Sequence, residues 1–197
     1  MASPLLYPVS VFMAEIKRRL FTVDDCYRMA DAGILLPDER VELIRGEILE
    51  MSPIGPRHGA AVDGTNRAMV RLAADKAIVR VQGTVVLDQL CAPEPDVVLL
   101  RPKEDFYVSK NPGSADILLV IEIADSSLEY DTTTKLELYA ILGIHEYWVA
   151  DLQNDRLLAY SEPEKDSYRT QREFHRSDMI APQLLPDCRI AVSVLLP

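Results

Sequence analysis

Residues 117–151 read ILLVIEIADSSLEYDTTTKLELYAILGIHEYWVAD, and this stretch decides the fold. The run DILLVIEI, from Asp116 to Ile123, is almost unbroken apolar sequence, the pattern of a strand buried on both faces. From about Thr132 to Leu142 the spacing predicts a helix, which Gly143 stops. EYWVAD, from Glu146 to Asp151, is a second strand. A strand, a helix and a strand in this order form a right-handed crossover, with the two strands parallel. One residue does not suit the first strand: Glu122 is a carboxylate inside an apolar run.

Working outward, DVVLL (96–100) is another strand, separated from DILLVIEI by the polar loop 101–115. If the two pair antiparallel with Leu100 opposite Leu118, Asp96 lies opposite Glu122 on one face. Their Cβ atoms would then be ~5 Å apart. Two such carboxylates repel unless a cation or proton lies between them. Further upstream, VELIRGEILEMS (41–52) alternates around Arg45-Gly46 and reads as a hairpin. Thr22 and Asp25 form a capping box for a short helix from Val23 to about Ala32, ended by Gly33. After a turn at 53–56, a helix from Arg57 to Lys76 carries Ala61, Met69, Leu72 and Ala73. AIVRV (77–81) and TVVLD (84–88) read as short strands flanking Gln82-Gly83. Downstream, Asn154-Asp155 turns EYWVAD into RLLAY (156–160), and the tail holds one or two more short strands. The expected fold class is α/β, with a central mixed β-sheet flanked by helices.

Lys135 completes a constellation. If Asp131 caps the helix after Glu122, Lys135 lies near its first turn. Helical side chains lean toward the N-terminus, so the ammonium points back at the end of the Glu122 strand. Two acids and a lysine at strand ends can hold a divalent metal against a phosphate. The plainer reading stays open: Pro95-Asp96 as turn chemistry, and Glu122 with Lys135 as a structural ion pair.

Composition bounds the function. The chain has 197 residues, 48% hydrophobic, with a formal net charge of -10. That balance argues against nonspecific nucleic-acid binding through a basic surface. Basic residues do cluster between Arg57 and Arg80, where Arg67 and Arg71 share a helix face; a solvated face explains them better than a phosphate track. No stretch reaches the ~18 apolar residues of a membrane span. Cys26, Cys91 and Cys188 form no CxxC pair, which points to reduced thiols in the cytoplasm rather than a zinc site or disulfides. Pro4 and Pro8 interrupt the apolar start, and Lys17-Arg18-Arg19 follows it, the wrong order for a secretory signal. Residues 1–19 read as an N-terminal extension without fixed packing, and 20–197 as one domain; Met13 is an alternative start.

The phrases APEPDVVLLRP and LLVIEIADSSLEYDTTTKLELYAILGIHEYWVAD resemble a bacterial restriction endonuclease family, formerly a domain of unknown function. FTVDDCYRMADAGILLPDERVELIRGEILEMSPIGPRHGAAV resembles it equally. That family is placed in the PD-(D/E)XK nuclease superfamily. The resemblance implies a restriction endonuclease-like core and metal-assisted cleavage of DNA. Asp96 matches the superfamily's first acid and Glu122 its second, holding Mg²⁺ or Mn²⁺. The chain departs at the expected lysine two residues later, which is Ala124; Lys135 in DTTTK fits that role from the next helix. The resemblance also draws attention to three residues with open roles. Glu42 is an extra metal- or water-holding acid, or a charged hairpin residue. His58 is a phosphate contact, or merely a residue near a helix start. Gln82 is a ligand or a turn residue. A homodimer would suit cleavage of both strands of a duplex. A catalytically inactive nuclease fold serving as a binding or regulatory module is the alternative.

Overall fold

The computed structural model describes residues 18–197. The expected N-terminal extension therefore lies mostly outside the described residues; Arg18 is exposed and pairs with Glu47 at 3.0 Å. Ten strands and four α-helical segments follow in chain order. The strands are β1 (Val41–Ile44), β2 (Glu47–Glu50), β3 (Ile78–Val81), β4 (Val97–Leu100), β5 (Ile117–Ala124), β6 (Glu146–Asp151), β7 (Arg156–Glu164), β8 (Ser167–His175), β9 (Met179–Ile180) and β10 (Ile190–Ala191). The helices are α1 (Val23–Asp31), α2 (Pro56–Ala73), α3 (Leu128–Tyr130) and α4 (Leu136–Ile141), with a π-helical turn at Asp131–Lys135 joining the last two.

Six strands form the central mixed sheet in the order β3-β4-β5-β6-β7-β8. β5 and β6 are parallel, joined through α3 and α4, while the other neighbours are antiparallel. Strand parity divides the core. Val97, Leu99, Leu119, Ile121, Ile123 and Trp148 pack with Ala61, Met69 and Ala73 of α2. Val98, Leu100, Val120, Tyr147 and Val149 pack with Tyr139 and Ala140 of α4 on the other face. Side chains alternate along a strand, so Glu122 shares the α4 face with Val120 and Ala124.

The expected register holds from Val97↔Ile121 to Leu99↔Leu119. At Leu100 a bulge shifts the partner to Ile117 rather than Leu118. The slip falls at the far end from Asp96, so the acids stay in register. Three other expectations are corrected. TVVLD is not a strand: the Val85, Val86 and Leu87 amides bond to the carbonyls of Pro93, Pro112 and Cys91 rather than to a neighbouring strand. Asp131 does not cap a helix; the helical run starts at Leu128, so Asp131 lies one turn inside it. The tail contains the nine-residue β8, longer than expected and paired with β7 along nearly its whole length.

The hairpin β1–β2 turns at Arg45 (φ 52°) and Gly46 (φ 79°), the left-handed pair that a two-residue turn requires. A Cβ at Gly46 would lie 2.6 Å from Leu20 Cβ. Gly46→Ala therefore meets both a backbone penalty and a clash. It should cost about 1–3 kcal/mol in urea unfolding. A loss of a few tenths would show that the chain at Leu20 moves aside freely.

Candidate active site

Asp96 immediately precedes β4, and Glu122 lies near the end of the neighbouring β5. The Asp96 amide donates to Glu122 Oε2 at 3.3 Å, and the Ile123 amide donates to Asp96 Oδ2 at 2.9 Å. The two acids thus meet at one end of the central sheet, as their register requires. Lys135 Nζ reaches Glu122 Oε1 at 2.9 Å and Glu42 Oε2 at 3.3 Å. The Tyr139 hydroxyl also donates to Glu122 Oε1, at 2.9 Å. Glu42, on β1, further accepts from the Tyr130 hydroxyl at 3.2 Å. His58, in the first turn of α2, places Nε2 3.0 Å from Asp96 Oδ2. Gln82 Nε2 donates to Asp96 Oδ1 at 3.3 Å. All six residues singled out in the sequence therefore belong to one connected group. Gln82 is a turn residue as well, with φ 45°.

The π turn explains how Lys135 arrives there. Thr132 donates its hydroxyl to the Leu128 carbonyl at 2.7 Å, and Thr133 does the same to Glu129. Those carbonyls would otherwise accept from backbone amides four residues on, so the threonines compete with the α-helical ladder. The Tyr147 hydroxyl meets the Asp131 carbonyl at 3.0 Å. π-Turns of this kind are rare and concentrate at functional sites. Asp131 and Lys135, four residues apart, line the same cavity. Asp131 was assigned to a cap and so missed. Its spacing from Lys135 was the signal that could have found it, because residues four apart share a helix face. The hydroxyl partners of Tyr139 and Tyr130 have no local sequence signal.

The cavity is about 470 Å³ in volume. Its acidic and basic groups do not balance. Glu42, Asp96, Glu122 and Asp131 are buried carboxyl groups; Lys135 is the buried cation beside them, and the His58 imidazole contacts Asp96. Burial pushes Glu122 up to about 8, and Asp96, Asp131 and Glu42 add to the rise against the pull of Lys135. Burial likewise raises Asp131 to about 6, with Lys135 and the Ser127 hydroxyl opposing. Glu122 and Glu42 hold the buried Lys135 ammonium above its ordinary value despite its desolvation. Burial works against Asp96 too, yet its His58 hydrogen bond and the Ile123 amide keep it below the usual carboxylate range. That hydrogen bond raises His58 in turn. His58 Nδ1 is buried and has no protein partner. Excess carboxylate in a low-dielectric pocket is relieved by a proton or by a cation.

Among the described residues, no three His, Cys, Asp or Glu side chains converge as a preformed metal cage. The donors are nonetheless of the right kind. Carboxylate oxygens are hard ligands for Mg²⁺ or Mn²⁺, and surplus negative charge is what a divalent ion neutralises. Among the same residues no helix is long and apolar enough to cross a membrane.

Comparison with known proteins gives a family match and matches to solved structures. The model of the Uma2 family, described as "Putative restriction endonuclease", matches residues 23–193. A solved structure of a putative nuclease belonging to DUF820 from Anabaena variabilis aligns with a TM-score of 0.66 at 16% identity, covering 89% of this chain and 97% of that one. At that identity the likeness is one of fold. No curated protein matches.

The raised carboxyls set a pH signature. Folded Asp131 binds its proton more tightly than the unfolded chain does, with values of about 6 and 3.8. Its stabilising contribution is full below about 3.8 and is lost as pH rises through about 6. Asp131→Asn keeps an acceptor for Ser127. In metal-free protein, its melting temperature relative to wild type should therefore climb between pH 4 and 7. A flat difference across that range would show that Asp131 is not held protonated.

Proposed function

The chain belongs to the Uma2 restriction endonuclease family, and from that membership we propose that it hydrolyses phosphodiester bonds of DNA with the help of Mg²⁺ or Mn²⁺. One observation carries this reading. Asp96 and Glu122 meet at the end of β4 and β5 with Lys135 2.9 Å from Glu122, inside a cavity where acids outnumber cations. This set resembles the acid–acid–lysine set of the PD-(D/E)XK superfamily, with the lysine coming from the following helix. Asp96 and Glu122 are the residues that would hold the metal. When bound, such an ion lowers the pKa of a water and offsets charge on the phosphate.

The protein groups divide the remaining work. Lys135 stabilises charge that builds on the reacting phosphate, acting at low dielectric where a fixed ammonium counts for most. Glu42 holds Lys135 from the hairpin side and Tyr139 fixes the Glu122 carboxylate, so both reacting groups are oriented before substrate arrives. Gln82 and His58 orient Asp96 in the same way.

A second reading has its own support. Lys135 is bonded to two carboxylates at once, as in a purely structural ion network that stabilises a binding module. Two measurements separate the readings. Mn²⁺ should raise the melting temperature of the wild type by mass action, and Asp96→Asn should remove that rise. Equal stabilisation of both proteins would place the ion elsewhere.

Lys135→Ala should keep Mn²⁺ binding and lower Mn²⁺-dependent cleavage by ~10²-fold or more, the scale for losing one preorganised stabilising group. Turnover and melting temperature are to be read on the same sample. Undiminished turnover in a destabilised variant would assign Lys135 to structure alone.

A further inference from the structure

Building on the hydrolytic reading, we infer that the substrate enters as an unpaired DNA strand and not as an intact duplex. The first argument is reach. Glu42, Asp96, Glu122, Asp131 and Lys135 are each only 3–7% exposed. They form the floor of a cavity of about 470 Å³. Clefts of ~300–1,000 Å³ enclose ligands of small-molecule size, which fits one nucleotide. A scissile phosphate must descend to that floor, and a paired duplex is too bulky to follow it into a space of this size.

The second argument is the lining. The same cavity is also lined by Leu49 of β2 and by Met51, Pro53 and Ile54 of the chain that follows it. Ile54 is 44% exposed, an apolar side chain open to solvent. A paired base keeps its faces stacked within the helix. An unpaired nucleotide offers both a phosphate for the floor and an apolar base face for these side chains. The cavity matches that two-sided ligand.

The third argument is charge. The lining carries Glu42, Glu50, Asp96, Glu122, Asp125 and Asp131 against Arg40, His58 and Lys135, on a chain of formal net charge -10. Duplex DNA presents one charge per ~1.7 Å of axis, and a single strand has the lower charge density and the weaker counterion dependence. An acidic protein excludes the duplex more strongly. Cutting one unpaired strand also needs one site, so no dimer is required.

The test uses the full chain with Mn²⁺ and three labelled substrates of one sequence: a single strand, its blunt duplex, and the duplex with a central unpaired bubble. The strand and the bubble should be cut at least ~10-fold faster than the duplex, a difference worth about 1.4 kcal/mol. A duplex cut as fast as the strand overturns the inference and leaves the hydrolytic reading standing. Fluorescence anisotropy with Lys135→Ala in Mn²⁺ reports binding apart from chemistry. Tighter binding of the strand supports the inference even where no substrate is cut, an outcome that would sink the hydrolytic reading alone. Equal binding of strand and duplex overturns it. Ile54→Ser tests the apolar lining: KM for the strand should rise several-fold with a smaller change in kcat, and an unchanged KM counts against contact with a base.

Discussion

The buried bridge of Lys135 to Glu42 and Glu122 ties three elements together: the hairpin β1–β2, the central strand β5 and the helical crossover. Two carboxylates and an ammonium lose their hydration here, which costs several kcal/mol per ion before attraction repays it. Apolar residues of similar volume would stabilise such a place at least as well. The sheet does not lack apolar partners either, since β4, β5 and β6 are buried along their whole length. On the proposed function, a network that gains little stability over a hydrophobic packing has its rationale in chemistry. The bridge also makes the hairpin more than a decoration. β1 meets the rest of the chain through the backbone bonds of Leu43 with Ala92, and Glu42 is its one acid in the ionic group.

The most legible parts of the fold were those that local chemistry specifies. The hairpin turn followed from Arg45-Gly46, the first helix from the Thr22–Asp25 box, and the β4–β5 pairing from two apolar runs that had to align. Because strand side chains alternate strictly, a register with Asp96 opposite Glu122 was a single choice and not a continuum. The bulge at Leu100 was not legible, since it depends on how the loop 101–116 re-enters the sheet. TVVLD misled for a related reason. Its β-branched composition suits a strand, but its amides find carbonyls in the loops at Pro93, Pro112 and Cys91 instead of pairing with β3. Propensity describes a segment; pairing is a competition among segments.

The site was legible as residue types and less so as partners. Asp96, Glu122 and Lys135 stand out because charge inside an apolar run is costly. Glu42, His58 and Gln82 came from the resemblance alone, being ordinary in a hairpin, a helix start and a turn. Their bonds to the central three arise from elements far apart in sequence, which no local pattern encodes. Tyr139 was hidden in the opposite sense. A tyrosine at an apolar helix position looks like core, and its ring is core; only the hydroxyl belongs to the site.

The run DTTTK shows how composition becomes geometry. Threonines are poor helix formers because the hydroxyl can take a carbonyl from the backbone ladder. Here Thr132 and Thr133 do so on consecutive carbonyls, and the helix widens into a π turn at the point where Lys135 must face β5. Tyr147, on the parallel strand β6, then bonds the Asp131 carbonyl from below. The crossover helix is thereby tied to the sheet by a hydrogen bond to its own backbone at the turn that carries the lysine. A lysine two residues after Glu122 on β5 itself would need no such device, since the strand would fix it. With Ala124 in that position, the precision has to come from the helix. The threonines and Tyr147 are the residues that supply it.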